Sequence, residues 1–445
     1  MTRTPPRGGV TLCFALCLPA AAWAQNLPAS AIRISEPPPA IASPVPGEAQ
    51  TAGMPRLSLR QAVELALARS PDIAAATLEV EAGEGVREQA GAYPNPELSY
   101  LLEDTRRDTR TTTLQLNQPI ELGGKRAARI AAADRGYDIA AADRVARRQS
   151  LRAAVTSAYF DALAAQERVR VAEEAVELAR RATRATALRV EAGKVAAVEE
   201  TKARVAAAGV NVEASRARSE RVGTQARLAA LLGQSQPVSI SVEGRLDELP
   251  AAPSLEETQR QVEDAPALRR ARLEIERRSA LTALEKARRI PDLTVSLGAR
   301  RDEELGRNQA VLGVSIPLPL FDRNQGNLSE ALKREDKARE ELNATRLQVS
   351  ADAVEARERL MSARGEAEAL ATEILPGAQT AWEAAAKGFE LGKFSFLEAL
   401  DAQRTLLQAR TQYLRAMADT HRARAELDRL LGSKASFDAP ASATR

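Results

Sequence analysis

Hydrophobic and polar residues alternate with a period of two in short stretches of this chain. The alternation is clearest in residues 292–299 (DLTVSLGA) and 310–317 (AVLGVSIP), and it recurs in 111–118. Side chains point to opposite faces at successive positions of a strand, so a period of two predicts half-buried β-strands. We predict two strand pairs, 96–103 with 111–118 and 292–299 with 310–317.

The stretch after the first strand pair lacks this alternation and contains no proline. No proline occurs between Pro119 and Pro237, and Ala, Arg, Glu and Leu dominate. Residues 122–190 are predicted to form one helix of about 100 Å at 1.5 Å per residue. Gly193 ends it with a left-handed residue, and a second helix runs back over 195–232.

The chain repeats itself at an offset of 195 to 199 residues. Five matches occur in order: Ser70-Pro71 with Ala265-Pro266, Pro96-Glu97-Leu98 with Pro291-Asp292-Leu293, Gln118-Pro119-Ile120 with Ile316-Pro317-Leu318, Glu191–Lys194 with Glu390–Lys393, and Leu231-Leu232-Gly233 with Leu430-Leu431-Gly432. Such a period indicates structural repeats. We predict two halves, 57–234 and 254–433, joined by a connection over 235–253.

Each half is predicted to contain a first helix, a strand pair and a long helical hairpin. The first helices cover 57–92 and 254–289, and the second hairpin covers 323–390 and 394–431 with its turn at Gly392. Pro376 lies inside the second long helix, where it removes one backbone hydrogen bond and is predicted to bend the helix. The matching position of the first half is Glu177, so the halves should differ there.

The termini are predicted to lie outside this folded part. Residues 1–24 have a positive start, an apolar stretch and the cleavage signal Ala22-Trp23-Ala24, which is typical of a secretory signal peptide. Residues 25–56 are a Pro/Ala-rich linker, and 434–445 form a C-terminal tail. Both cysteines, Cys13 and Cys17, fall inside the signal.

Charge and composition argue against several function classes. Removing the signal takes away two Arg and no acid, so the count falls from 63 − 60 = +3 to 61 − 60 = +1. A near-neutral chain gives no electrostatic case for nucleic acid. His421 is the only histidine, and the mature chain has no thiol, so we predict no catalytic site, no cofactor and no tight metal site.

Four strands per chain set a constraint on assembly. Membrane barrels need about eight or more strands, and an open sheet in lipid leaves edge amides unsatisfied. Three chains would supply 3 × 4 = 12 strands and a closed cylinder of helices. The predicted fold class is therefore mainly α with a small β part, in which long helical hairpins form a trimeric α-barrel below a shared 12-stranded β-barrel.

The sequence resembles a known family over about residues 57–433. The resemblance rests on Tyr93–Pro96 (YPNP), Gln118–Arg126 (QPIELGGKR), Ile316–Gly326 (IPLPLFDRNQG) and the Gly-Lys pair at each hairpin turn. These motifs resemble the TolC-type outer-membrane efflux factors, in their cobalt–zinc–cadmium (CzcC-like) heavy-metal branch. The resemblance implies a homotrimeric duct in the bacterial outer membrane whose helices extend into the periplasm. It also implies a periplasmic adaptor, an inner-membrane, proton-driven resistance-nodulation-division pump, and divalent heavy-metal cations as cargo.

The same resemblance indicates which residues form the periplasmic mouth. It implies that acids at Glu398 and Asp401 line the closed mouth, and threefold symmetry would turn each into a carboxylate ring that favours cations. Glu199 and Glu200 would add weaker charge from the first hairpin. The turns at Gly193, Lys194, Gly392 and Lys393 are the candidate contacts with the adaptor or pump. Ordinary solvated helix surface remains the alternative for all four acids.

Three questions stay open at this stage. Phe389 and Phe394 stand where some family members place Tyr and Arg, which argues against a hydrogen-bonded latch. The cargo could be drugs or other small solutes instead of metals. A structural periplasmic coiled coil without a membrane part is the competing class, and the alternating strands count against it.

Overall fold

The computed structural model describes residues 56–234 and 240–432. Contacts divide the chain into two units, Met1–Thr51 and Ala52–Arg445, and everything described here belongs to the second unit. The predicted signal peptide, the linker before Arg56 and the predicted C-terminal tail lie outside the described residues.

Two sheets are present in the described part. Strands β2 (Glu97–Glu103), β3 (Thr111–Ile120), β5 (Leu293–Asp302) and β6 (Arg307–Ser315) form one antiparallel sheet in the order β2-β3-β5-β6. The second is a short parallel pair, β1 (Arg56–Leu57) with β4 (Ser241–Val242). The central contact of the large sheet joins β3 and β5, one from each half, so β2 and β6 remain its open edges.

The predicted first helix of each half is in fact two helices. Residues 57–92 contain α1 (Leu59–Arg69) and α2 (Pro71–Gly91), and residues 254–289 contain α5 (Leu255–Val262) and α6 (Pro266–Arg288). Both second helices begin at a proline, which has no N–H to donate and is therefore favoured in the first turn. Ser70 also caps α2, because its hydroxyl accepts from the N–H of Ile73 at 3.4 Å.

The long hairpins are present, with an asymmetry at the expected place. The first hairpin is α3 (Lys125–Glu191) with α4 (Ala197–Leu231). The second is α7 (Gln325–Ala369), a π-helical turn (Leu370–Ile374), α8 (Leu375–Glu390) and α9 (Phe396–Leu431). Pro376 is the second residue of α8, the helix that follows the π turn, whereas α3 runs through Glu177 without interruption. The missing N–H of Pro376 is thus accommodated by a local change of helix type.

The lateral order of the helices follows the sheet. Nearest the strands α2 packs on α3, α3 on α6, and α6 on α7, so this layer has the order α2-α3-α6-α7. Farther away α3 packs on α4 and on α9, and α9 packs on α8, which gives α4-α3-α9-α8. Each layer leaves two helices at its edges. No helix among residues 56–234 and 240–432 has the length and apolarity needed to cross a membrane.

The main apolar core is formed by residues of α1, α3, α4 and α9 and the end of α7, together with the short strand β4. Its most buried large side chains include Tyr159, Leu228 and Met417. The Tyr159 hydroxyl lies 3.0 Å from the Leu57 carbonyl oxygen and also contacts that of Glu243. One side chain thereby holds both short strands against α3.

Candidate functional site

The two hairpin turns are built in the same way. Gly193 and Gly392 have φ of +67° and +71°, the left-handed conformation that glycine adopts without a Cβ clash. The closing hydrogen bonds run from Lys194 N to Arg189 O at 2.9 Å and from Lys393 N to Gly388 O at 2.8 Å. Both are Schellman closures, in which the N–H beyond the glycine reaches back to a carbonyl of the last helical turn. The predicted pairs Gly193-Lys194 and Gly392-Lys393 therefore occupy equivalent tips.

Glu398 and Asp401 lie just beyond the second turn, and both are exposed. The Glu398 carboxylate accepts from the Ser395 backbone N–H at 2.7 Å and from its hydroxyl at 2.9 Å, while the Glu398 N–H donates to the Ser395 hydroxyl. This reciprocal arrangement is a capping box at the start of α9. The hydrogen bonds to Ser395 hold the pKa of Glu398 below its usual value, so the group stays ionised.

Glu199 and Glu200 lie in the first turn of α4 with cationic partners. The Glu199 carboxylate is 2.8 Å from the Lys202 ammonium, and the Glu200 carboxylate pairs with Arg204. In the described part of the chain, neither Glu398 nor Asp401 forms such an ion pair. The four acids therefore differ: the second hairpin presents uncompensated charge, and the first does not.

The tips of the two hairpins are joined within one chain by Arg189. Its guanidinium donates to the carbonyl oxygens of Phe389 at 2.9 Å and Glu390 at 3.2 Å, and lies 4.2 Å from the centroid of the Phe389 ring. The last carbonyls of a helix have no partner inside it, so Arg189 satisfies the end of α8 from the other hairpin. The sequence did not predict this contact, because the repeat places Arg189 and Phe389 at equivalent tips without showing that the two tips touch.

A cavity of about 410 Å³ lies between the same tips. Thr186 and Glu199 line it from the first hairpin, and Leu391, Phe394 and Ser395 from the second. Phe394 packs directly over Gly388, where a Cβ would collide with the ring. The two phenylalanines singled out in the sequence thus both contact groups at the tip, without using a side-chain hydrogen bond.

The large sheet has one apolar and one polar face. Residues opposite one another in antiparallel strands share a face, and the exposed apolar ladder runs through Leu98, Leu116, Leu297 and Leu312. On the other face Asn117 is central. Its side chain accepts from Ser296 at 2.7 Å and from Gln115 at 2.6 Å, and donates to Ser99 at 3.3 Å. An exposed apolar face of this kind suits lipid, and the polar face suits water.

Residues 56–234 and 240–432 contain no group of three or more His, Cys, Asp or Glu placed to hold a metal ion. His421 stacks on Phe160 with ring centroids 3.6 Å apart, and one ring nitrogen lies 3.4 Å from the Leu246 carbonyl oxygen. Burial lowers the pKa of His421 to about 4, so the partly buried ring is neutral at physiological pH.

Solved structures share this fold. A membrane protein from Pseudomonas aeruginosa superimposes with a TM-score of 0.73 over 85% of this chain and 93% of its own, at 20% identity. CusC, described as undergoing transmembrane channel formation, gives 0.70 over 88% and 97%, at 19% identity. At these identities the likeness concerns the fold.

Sequence comparison identifies the family. The cobalt-zinc-cadmium resistance protein CzcC of Cupriavidus metallidurans is 46% identical over 376 residues, which is 84% of this chain and 90% of that protein. The nickel-cobalt-cadmium resistance protein NccC of Alcaligenes xylosoxydans xylosoxydans is 30% identical over 68% and 70%. The profile of the outer membrane efflux protein family matches residues 62–234 and 258–433. The chain belongs to the outer membrane efflux protein family.

Proposed function

We propose that this chain is the outer-membrane duct of a tripartite, proton-driven system that exports divalent heavy-metal cations, and that it catalyses no reaction. The 46% identity to a cobalt-zinc-cadmium resistance protein, extending over 90% of that protein, is the observation that carries the proposal. NccC, with nickel, cobalt and cadmium in its name, supports the same cargo class. A periplasmic adaptor and an inner-membrane resistance-nodulation-division pump complete the system.

The working unit is a homotrimer. The sheet β2-β3-β5-β6 has two open edges, and each unpaired edge amide in lipid costs several kcal/mol. Pairing β6 of one copy with β2 of the next closes a ring, and three copies give 12 strands. The two helix layers have open edges on the same two sides as the sheet, so one threefold rotation closes the sheet and both helix layers.

The periplasmic mouth selects cations by charge. Glu398 and Asp401 are three residues apart on one helix face and lack cationic partners among the described residues, so threefold symmetry turns them into two carboxylate rings. Glu199 and Glu200 contribute less, because Lys202 and Arg204 compensate them. The tips carrying Gly193, Lys194, Gly392 and Lys393 are the contact for the adaptor or pump, which opens the mouth.

A deletion strain tests the cargo. Loss of the gene should raise sensitivity to cobalt, zinc and cadmium, and a plasmid copy should restore resistance. A panel of drugs in the same strains decides the alternative cargo. Sensitivity to drugs without any change for the metals would reject the heavy-metal proposal and favour a drug duct.

Single-channel recording in a planar bilayer tests the mouth. The variant Glu398→Gln with Asp401→Asn removes both charges and keeps the cap, because Gln also forms a capping box. Cation preference and block by divalent ions should both fall. The control Glu366→Gln with Glu373→Gln removes two exposed charges farther up the same hairpin and should change little. Equal behaviour of both variants would mean that Glu398 and Asp401 are ordinary helix surface.

A further inference from the structure

An exposed apolar segment connects β6 to α7. Leu318, Leu320 and Phe321 are 76%, 64% and 92% exposed, the last being among the most exposed large apolar side chains described. The equivalent connection between β3 and α3 covers only residues 121–124. The segment lies at the β6–α7 edge of the chain, where the sheet has no partner strand.

An apolar groove of about 1050 Å³ extends across the layer from α6 to α2, the helix at the opposite edge. It runs between α2, α3 and α6, and small residues such as Ala82, Gly85 and Gly136 form part of its lining. Tyr93 and Leu284 line the part nearest the strands. Small side chains let a large ring approach the helix backbones closely.

The segment and the groove lie at the same level along the molecule. Asn324, three residues after Phe321, donates to the carbonyl oxygen of Glu285 at 2.9 Å, near the end of α6. Arg126, at the start of α3, donates to the carbonyl oxygen of Gly91 at 2.6 Å, at the end of α2. These hydrogen bonds tie the start of α3 to the end of α2 and the start of α7 to the end of α6. The strand–helix junctions of the two halves therefore lie at the same level along the molecule.

Charge also differs between the two edges. Glu81, Glu84 and Glu88 are exposed on one face of α2, at spacings of three and four residues. Lys333 and Lys337 are exposed on α7, one turn apart, where they pair with Asp336 and Glu341 of the same helix. Because α2 runs toward the strands and α7 away from them, the acids and the lysines lie at similar distances from the junctions. The α2 edge thus carries three acids that form no ion pair among the described residues, and the lysines of α7 can take them as partners in place of Asp336 and Glu341.

We propose that the Leu318–Phe321 segment of one copy inserts Phe321 into the α2–α3–α6 groove of the next copy. The occupant is thus a second copy of this chain, and the ring contact fixes the vertical register in which β6 meets β2. This inference rests on the proposed homotrimer. It adds a specific contact that a trimer could lack.

Disulfide trapping tests the contact directly. The chain has cysteines only at positions 13 and 17, so new ones are easily followed. The pair Asp322→Cys with Gln89→Cys keeps Phe321 and places thiols at the segment and the groove, since Gln89 lines it. Oxidation should give covalent dimers and trimers. The control pair Asp322→Cys with Glu88→Cys uses an adjacent exposed residue outside the groove lining and should give at least tenfold less product.

Assembly measurements complete the test. Phe321→Ala should reduce the detergent-resistant trimer at least tenfold, whereas Phe321→Leu should retain most of it. Gly136→Leu fills the groove from a position with no atom within 4 Å of the added Cβ, and it should reduce the trimer as Phe321→Ala does. Gly365→Leu changes an equally open helical position outside the groove, and it should leave the trimer intact. Trimers in which the Gln89 pair fails to crosslink would overturn the inference and leave the proposed function intact. A wild-type monomer in the membrane would overturn the proposed function instead. Quenching of Phe321→Trp fluorescence by brominated lipid would identify lipid as the occupant and reject the contact.

Discussion

Glu398 shows how one carboxylate can have a local structural role and a proposed role in the pore. Its hydrogen bonds to Ser395 are present in a single chain and need no neighbour. The Ser-x-x-Glu signature of a capping box was readable in the sequence as Ser395 and Glu398. The prediction for Glu398 rested on its charge alone, so the capping role of this acid was not predicted.

This double role gives a prediction for the start of α9. Glu398→Ala removes the acceptor of the Ser395 N–H, so amide exchange at Ser395 should accelerate several-fold, while Glu398→Gln should leave it near wild type. Hydrogen exchange read by mass spectrometry on tip peptides measures this. Equal exchange in the two variants would contradict a capping role and leave the pore proposal untouched.

His421 should make stability depend on pH. Its pKa is about 4 in the folded chain and 6.5 when exposed, so as pH falls below 6.5 the unfolded state takes up a proton first. The contribution of neutral His421 to the free energy of unfolding is fully present above pH 6.5. It declines toward pH 4, by at most about 3 kcal/mol. Thermal melts from pH 7.5 to 4.5 should show a shallower decline for His421→Phe, which keeps the stack on Phe160. Parallel curves would reject this assignment.

At the scale of elements, the strands and the long helices could be predicted, because their patterns are local. The absence of proline after Pro119 marks α3, and the period of two marks the strands. The breaks at Pro71 and Pro266 were also readable and were overlooked in favour of a continuous helix. The pairing of β3 with β5 was not readable, since it joins strands separated by a whole helical hairpin.

Gly298 should be essential to the sheet. An added Cβ there would lie 2.5 Å from the Leu114 carbonyl oxygen, on the neighbouring strand backbone. Gly298→Ala should therefore prevent assembly of detergent-resistant oligomer. Gly313→Ala is the matched control on the same face, because its nearest contact would be a tolerable 3.4 Å to the Ser296 side chain. Loss of assembly in both variants would argue against this specific clash.

Arg189 should restrain the two hairpin tips. Arg189→Ala removes two hydrogen bonds and a stacking contact, so spin labels at Lys194→Cys and Lys393→Cys should report a broader distance distribution. Arg184→Ala removes an exposed arginine of the same helix and is the control. Unchanged distances in Arg189→Ala would show that packing of α3 on α9 suffices.

At the scale of the whole molecule, the family and the outer-membrane efflux role follow from motifs that the sequence displays. The number of copies does not, because it depends on contacts between chains. Native mass spectrometry in detergent should give three times the mass of one processed chain, since four strands cannot close alone. A stable monomer extracted from the outer membrane would reject the shared barrel.

The uninterrupted α3 and the interrupted α7–α8 make the two hairpins mechanically unequal. A displacement applied at the Gly193 tip is transmitted to the strand junction through α3, a continuous helix of 67 residues. A displacement at the Gly392 tip meets the π turn Leu370–Ile374 and Pro376 first, where shear can be absorbed. We therefore expect the second hairpin to bend while the first transmits force to the strands. A docking partner would then contact one stiff hairpin and one compliant hairpin on every chain.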